Sequence, residues 1–158
     1  MRRATSLLAL AAVAPPLYRA TVRFLFRRNM RRLNEGDIGP LTSTYADDVR
    51  FVFPGQSSWA GDYRGREAVT AFVDRFVETG LKIEPDEILV NGPPWDTRFA
   101  LRYHDSYTAP DGEVVYENVG QFFGRISWGR LKYYELHEDT EKVAEFDVWL
   151  AEHEPPGV

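Results

Sequence analysis

The sequence predicts an α+β domain in which helices pack against an antiparallel sheet. Three observations favour this fold class: apolar residues recur at helical spacing in the first half of the chain, strand-like segments separated by turn residues fill the second half, and a last helical segment closes it. Helices followed by a run of strands are typical of α+β proteins rather than of a doubly wound parallel sheet. A chain of 158 residues is long enough for one domain with a real core.

The predicted organisation has three parts, a flexible N-terminal arm at residues 1–15, a single domain at 16–152 and a tail at 153–158. Within the arm, Leu7 to Ala14 is apolar but far shorter than the roughly 20 residues that span a bilayer. A secretory leader is the alternative interpretation, but Pro15 would directly follow its cleavage site and is unfavourable there. We therefore interpret the segment as a loose or weakly helical arm.

The helices are predicted from periodicity and from signals at their ends. Pro15 and Pro16 are typical of a helix start, and apolar residues recur at helical spacing over residues 17–33. Gly36 is placed to end this helix, and Asp37 to cap a short second one. The predicted helices span residues 17–34, 38–45, 66–79 and 140–152.

The strands are predicted from apolar and aromatic runs that are bounded by turn residues. The first strand ends at Pro54, and a loop over residues 55–65 follows. The Asp111-Gly112 pair is a strong signal for a hairpin between two long strands, and Gly129 marks a tight turn before the last strand. The predicted strands span residues 49–53, 81–90, 97–108, 113–127 and 130–137.

The composition excludes several kinds of site. The chain has no cysteine, which rules out disulfides, thiolate metal sites and cysteine nucleophiles and fits a reducing, cytoplasmic compartment. No spacing of histidine and carboxylate residues matches a metal site, and no glycine-rich phosphate loop or nucleophile elbow is present. We therefore expect neither a metal nor another cofactor.

Charge is distributed unevenly along the chain. Residues 1–32 carry eight arginines and no acidic residue, whereas the rest of the chain carries eleven basic and 24 acidic residues. The acidic body argues against nucleic-acid binding. A basic arm on an acidic body is able to dock on a membrane or on an acidic partner, but the favoured interpretation is that the arginines line the solvent-facing side of the first helix.

The clearest family resemblance lies in one segment, Leu33 to Pro54. It combines the Asn-Glu-Gly-Asp end of a helix, a short helix, a Tyr-Ala-Asp-Asp sequence and a strand that stops at proline. Together with the element order over residues 17–139 and the sequence at 138–143, this segment resembles the nuclear transport factor 2-like superfamily, in particular the SnoaL-like polyketide cyclases. The resemblance implies a cone in which a curved sheet surrounds one apolar cavity, with a small apolar molecule as ligand.

The resemblance also implies positions for catalytic groups, and this chain departs from the family at several of them. Ketosteroid isomerases keep a carboxylate base where Phe53 stands, and an oxyanion-stabilising tyrosine where Asn29 stands. Their second, acidic donor falls near Phe122. The final aspartate of SnoaL-like cyclases and of limonene-epoxide hydrolases falls at Leu136. Proton transfer with the family's usual aspartates is therefore not expected.

Arg102 and His104 are the candidate catalytic residues, at the positions of the Arg-x-Asp pair of limonene-epoxide hydrolases. Strand alternation places both on one face, about 7 Å apart, and puts Phe99 and Tyr103 on the other face. If the first face lines the cavity, Arg102 holds a substrate oxygen while His104 moves a proton near neutral pH. If the second face points inward, its side chains form the core and the candidate pair contacts solvent.

Six further residues are candidates for substrate binding, since they are polar or aromatic. They are Asn29, Trp59, Tyr63, Tyr116, Asn118 and Tyr134. Their amide and hydroxyl groups are able to donate hydrogen bonds to a carbonyl or hydroxyl oxygen. The aromatic rings, together with Trp95, are able to wall a planar apolar ligand. The alternative is an ordinary sheet with satisfied polar groups and aromatic residues in its core.

Two functions from different classes stay open at this stage. The first is a SnoaL-like enzyme that performs isomerisation, cyclisation, dehydration or epoxide opening by cofactor-free acid–base chemistry on a polyketide, terpenoid or similar molecule. The second is a non-catalytic ligand-binding or accessory protein of the same fold. The retained polar residues favour the enzyme, and the absent aspartates favour the binder.

A homodimer is implied by the resemblance as well. The predicted strand at residues 113–127 presents an apolar set, Val115, Val119 and Phe123, on one face of the sheet. Such a face suits an isologous contact between two copies.

Overall fold

A computed structural model describes the backbone of residues 2–153 and the side chains of residues 15–153. Its helices are α1 (Arg2–Asn34), α2 (Gly39–Thr42), α3 (Arg66–Thr79) and α4 (Thr140–His153). Its strands are β1 (Tyr45–Phe53), β2 (Gly61–Arg64), β3 (Lys82–Asn91), β4 (Thr97–Thr108), β5 (Val114–Ser127) and β6 (Arg130–His137). Among the described residues, no helix is long and apolar enough to cross a membrane.

The strands form one curved, open sheet in the order β2-β1-β6-β5-β4-β3. Neighbouring strands are antiparallel except for β1 and β6, which are parallel. This pair is parallel because the chain leaves β1, passes through α3 and the β3–β5 meander, and only then returns beside β1. The predicted α+β fold is confirmed, with a mixed sheet in place of a purely antiparallel one.

Several element boundaries differ from the predicted ones. The strand β1 begins at Tyr45, four residues early, because Tyr45 and Ala46 are buried and Tyr45 pairs with Leu131 of β6. The helix α2 is correspondingly shorter than predicted. The predicted loop at residues 55–65 contains β2, a four-residue edge strand paired with β1. Its short length and its glycine weaken the sequence signal for a strand.

The first helix does not begin at the two prolines. It runs from Arg2 through Pro15 and Pro16, so the predicted helix start is wrong. Proline removes a backbone donor from a helix interior, but its fixed φ of about −65° is itself helical, and the backbone continues on both sides. The division into arm, domain and tail stays a prediction, and residues 154–158 of the predicted tail lie outside the described residues.

The inner face of the sheet is the one with the large apolar side chains. Along β4, Phe99 and Tyr103 are buried, whereas Arg102 and His104 are exposed. The helix α1 packs along β3, and its Phe26 ring lies 4.7 Å from that of Phe99. The helix α3 packs on β1 in the same way, through aromatic contacts. The two helices and the inner face therefore enclose the core.

Two glycines of β5 are notches for aromatic rings of β4. A Cβ atom at Gly120 would overlap the hydroxyl of Tyr103, and one at Gly124 would overlap the ring of Phe99. Each ring lies across the glycine that pairs with its own residue. The missing side chains let the ring of Tyr103 cross β5 and reach the end of β6.

Candidate functional site

One apolar cavity lies between the inner face of the sheet and the helices. The cavity has a volume of about 90 Å³, and about 890 Å³ when the open space at its mouth is included. The lining is mostly apolar and comes from all three long helices and the sheet, for example Phe26, Phe51, Phe72, Leu101 and Phe146. Apolar cavities with a few polar groups are typical of small-molecule sites.

Four polar side chains interrupt this apolar lining near the start of α4. They are Tyr103, Asp105, Tyr116 and Glu138. Strands β4 and β5 supply the first three, and Glu138 follows the last residue of β6. The cluster thus places two carboxyl groups and two phenols in a site from which most water is excluded.

Glu138 is held by Tyr103. The Tyr103 hydroxyl donates a hydrogen bond of 2.8 Å to Oε2 of Glu138. The Phe122 ring stacks on that of Tyr103 with 4.7 Å between centroids, and Gly120 gives the ring its space. The rotamer of Tyr103 is therefore fixed from both sides, and with it the position of one carboxylate oxygen of Glu138.

Asp105 is held by a directional chain of hydrogen bonds. The Asn118 carbonyl oxygen accepts from the Val119 backbone N–H at 2.9 Å, while its amide donates to the Asp139 backbone carbonyl at 3.0 Å. This orients the amide, which also donates to the Tyr116 hydroxyl at 3.2 Å. The Tyr116 hydroxyl must then donate onward to Oδ2 of Asp105, also at 3.2 Å.

The other carboxylate oxygen of Asp105 has no protein partner. Oδ1 is buried and makes no hydrogen bond with the part of the chain that the structure describes. A buried carboxylate oxygen without a partner carries a free-energy cost, and such atoms are few in folded proteins. Since Oδ2 already accepts from Tyr116, a proton on Asp105 is carried by Oδ1, in a residue that lines the cavity.

Both carboxyl groups hold protons more tightly than usual. Burial raises the pKa of Asp105 from 3.8 to about 6, although the hydrogen bond from Tyr116 opposes the rise. Burial, followed by the nearby charge of Asp105, raises the pKa of Glu138 from 4.5 to about 8. Near neutral pH Asp105 is therefore ionised while Glu138 keeps its proton. The arrangement offers one base and one acid at the same pH.

A second polar point on the cavity wall is a pair of tyrosines. The hydroxyls of Tyr45 and Tyr134 lie 3.2 Å apart, and both residues line the cavity. Burial raises the pKa of both phenols, so that both keep their protons. One hydrogen bond between two hydroxyls uses one hydrogen and leaves the other for a ligand.

The predicted catalytic pair lies outside this site. Arg102 and His104 are on the outer face of the sheet, where both approach Asp86, Arg102 at 2.7 Å and His104 at 3.8 Å. Their side chains are about half exposed, so the expectation that they face the cavity is wrong. Alternation allows only one face inside, and the larger apolar residues of β4 occupy it. The cavity-facing pair at the same spacing is Tyr103 and Asp105.

The predicted binding residues divide into three groups. Trp59, Tyr116 and Tyr134 line the cavity. Asn118 is buried behind Tyr116 and orients it. The other two do not belong to the lining: Asn29 is buried in α1, and Tyr63 stacks behind Phe51 at 5.7 Å.

Trp95, which was expected as a cavity wall, is exposed at a turn instead. The residues that sequence reasoning missed are Asp105, Glu138 and Tyr45. Strand alternation was the sequence signal that could have identified Asp105, because it places this residue on the other face of β4. Within the described residues, no group of three or more histidine, cysteine or acidic residues is arranged to hold a metal ion.

Helices on a curved sheet around one apolar cavity, with a few polar groups inside it, define the nuclear transport factor 2-like class of folds. The chain belongs to the SnoaL-like domain family, whose model matches residues 26–134. Asp105 lies inside the matched region, and Glu138 lies four residues beyond its end.

Solved structures are similar to this chain over most of its length. Bal32a, from a soil-derived mobile gene cassette, is 25% identical, with a TM-score of 0.67 over 79% of this chain and 95% of its own. An NTF2-like protein of unknown function from Burkholderia pseudomallei is 20% identical, with a TM-score of 0.65 over 79% and 95%. TerC, co-crystallized with polyporic acid, is 18% identical, with a TM-score of 0.59 over 73% and 92%. A search of curated proteins gave no match.

Proposed function

We propose that this protein is an enzyme that moves a proton on a small, mostly apolar molecule that carries oxygen, without a cofactor. The observation that carries the proposal is the carboxyl pair, Asp105 and Glu138, inside an otherwise apolar cavity. Two titratable groups whose environments separate their pKa values are suited to act as base and acid at one pH. Isomerisation, cyclisation, dehydration and epoxide opening all use such a pair.

The hydrogen bonds of the site support a specific role for each carboxyl group. Ionised Asp105 takes a proton from a C–H or O–H group of the substrate through Oδ1, since Oδ2 is held by Tyr116. The electron pair left behind moves toward a substrate oxygen or forms the new bond. Neutral Glu138 donates its proton to that oxygen from Oε1, because Oε2 accepts from Tyr103. Return of the proton from Asp105 to Glu138 through substrate or water completes the cycle.

The tyrosine pair supports a substrate with a second oxygen. Tyr134 and Glu138 are four positions apart along β6 and the bend that follows it, so their backbones are separated by at most about 13 Å. The free hydroxyl hydrogen of the Tyr45 and Tyr134 pair is a donor for a carbonyl at that distance along the wall. An elongated apolar skeleton with oxygens toward both ends, as in many polyketides and terpenoids, fits this spacing. TerC, a neighbour of the same fold, was crystallised with polyporic acid, which supports a small-molecule ligand.

The test is turnover by matched variants. Purified protein is incubated in D2O with polycyclic ketones, steroids and terpene epoxides, and mass spectrometry follows deuterium uptake and product formation. We expect Asp105→Asn and Glu138→Gln to lose about 10²-fold or more of the rate, as general acid–base groups usually do. His104→Ala, on the outer face, is the matched control and should keep the rate.

Two results would contradict the proposal. Turnover that persists in Asp105→Asn would show that the carboxyl pair is not the proton-transfer site. Tight binding without turnover in the wild type and in both variants would instead assign the cavity to a non-catalytic ligand-binding protein.

We further propose that the protein forms a homodimer through the outer face of the sheet. Val119 and Phe123 are 41% and 44% exposed there, and Val115 is partly exposed beside them. Burial of these side chains against a second copy would remove apolar surface from water. Sizing with light scattering tests this, and a monomer at micromolar concentration would contradict it.

A further inference from the structure

Two turns at one end of the sheet each expose a tryptophan. Trp95 lies in the turn between β3 and β4, and Trp128 lies in the turn between β5 and β6. They are 56% and 72% exposed, and their ring centroids are 5.9 Å apart. The turns are linked, since the Trp128 backbone N–H donates to the Pro94 carbonyl at 2.7 Å. The two indoles therefore form one exposed aromatic surface.

The backbone conformation of Trp128 is unfavourable for a bulky residue, which strengthens the case that its exposed ring has a role. Trp128 has φ 50° and the following Gly129 has φ 74°, the positive values of a two-residue hairpin turn that favours asparagine or glycine. A bulky residue in this region is an outlier, because its Cβ atom crowds the backbone. An exposed indole in such a position lowers both backbone stability and solubility. Outliers of this kind point to a role in contact with something outside the fold.

The first helix contacts the sheet at this end. The Tyr18 hydroxyl lies 2.5 Å from Oγ1 of Thr97, the first residue of β4 after the turn of Trp95.

Two arginines of the sheet lie near the two turns. Arg98 and Arg125 share a single acidic partner, Asp96, at 3.2 Å and 2.8 Å. This end of the molecule is therefore apolar at its tip and basic around it, although the chain as a whole has a net charge of −5.

We propose that Trp95 and Trp128 form a membrane-docking surface that inserts shallowly into a bilayer with anionic lipids. Tryptophan favours the bilayer interface, where its ring is buried and its N–H stays hydrated. Arg98 and Arg125, on the strands beside the two turns, complement anionic headgroups within a Debye length of the surface. A second copy of the chain is the poorer occupant, because it would bring arginines against arginines.

The test uses the full chain and vesicles of known composition. Co-sedimentation is measured with phosphatidylcholine vesicles that contain 30% phosphatidylglycerol, and with phosphatidylcholine alone. We expect the wild type to bind the anionic vesicles, with weaker binding at 0.5 M salt. The double variant Trp95→Ser/Trp128→Ser should bind at least tenfold more weakly. Leu89→Ser/Val148→Ser, which removes two equally exposed apolar side chains elsewhere, should bind like the wild type.

A spectroscopic measurement reports on the indoles directly. Lipids brominated near the headgroup should quench part of the tryptophan fluorescence of the wild type, and this part should be absent in the double variant. Equal vesicle binding by wild type and double variant would overturn the proposal and assign any binding to other parts of the chain. Self-association that is lost in the double variant, without vesicle binding, would overturn it in favour of a second copy.

Discussion

Replacement of Asp105 by asparagine should stabilise the protein at neutral pH while it removes activity. The rise in the pKa of Asp105 from 3.8 to about 6 means that the folded state binds the proton more tightly than the unfolded state. At 1.36 kcal/mol per pKa unit, this corresponds to about 3 kcal/mol. The stability is fully present below pH 3.8 and is lost as pH rises through about 6. The amide that Asp105→Asn introduces does not titrate, so the variant escapes this loss.

The assay is urea denaturation of both proteins at pH 4.5 and pH 7.5, followed by tryptophan fluorescence. The asparagine amide changes the hydrogen bonds of the site by the same amount at both pH values. The difference between the two pH values therefore reports the titration of Asp105, together with the part of the rise in the pKa of Glu138 that the charge of Asp105 causes, and both act in the same direction. We expect the free energy of unfolding of Asp105→Asn, relative to wild type, to be about 2 kcal/mol more favourable at pH 7.5 than at pH 4.5, because about a third of the loss has already occurred at pH 4.5.

A second variant controls for the change in net charge, and a defined result would refute the reasoning. Glu84→Gln removes an exposed carboxyl group on the outer face and controls for the change in net charge. The reasoning would be refuted if Asp105→Asn had the same relative stability at both pH values, or if the variant became less stable at the higher one.

Three further outcomes are expected. The rate should rise as Asp105 loses its proton near pH 6 and fall as Glu138 loses its own near pH 8, and a flat pH–rate profile would contradict both roles. Tyr116→Phe removes a hydrogen bond that lowers the pKa of Asp105, so the acidic limb of the profile should move to higher pH; an unmoved limb argues against this contact. Gly120→Ala should displace the Tyr103 ring from Glu138, with a loss of about 1–3 kcal/mol in urea denaturation and a lower rate; a wild-type rate would show that this contact is dispensable.

The fold was predictable from the sequence because its signals are local. Helical periodicity, an Asp-Gly hairpin and glycines at element ends lie within a few residues of the structure that they determine. The bounds of α3, β4 and β6 agree with the predicted ones. What failed were features that depend on distant partners: β2 exists only because it pairs with β1, and the early start of β1 depends on Leu131 of β6.

The candidate site was only partly predictable, because alternation does not say which face of a strand is inside. On β4 both faces carry polar residues two positions apart, Arg102 and His104 on one, Tyr103 and Asp105 on the other. The choice is made by long-range packing, in which the glycine notch at Gly120 accepts the Tyr103 ring. The glycine can be read directly from the sequence of β5, but no nearby sequence signal shows that it makes room for a ring of β4.

The free-energy cost of burying the Asp105 carboxyl group is the strongest argument that its position serves function rather than stability. A typical domain is stable by about 5–15 kcal/mol, so that a buried carboxyl group costing about 3 kcal/mol at neutral pH removes a sizeable share. Asparagine or leucine would fill the same inward position of β4 at lower cost. The structure also holds one oxygen of this group firmly through Tyr116 and leaves the other without a partner on the cavity side. A stabilising role would have paired both oxygens, whereas proton exchange with a ligand requires one to be free.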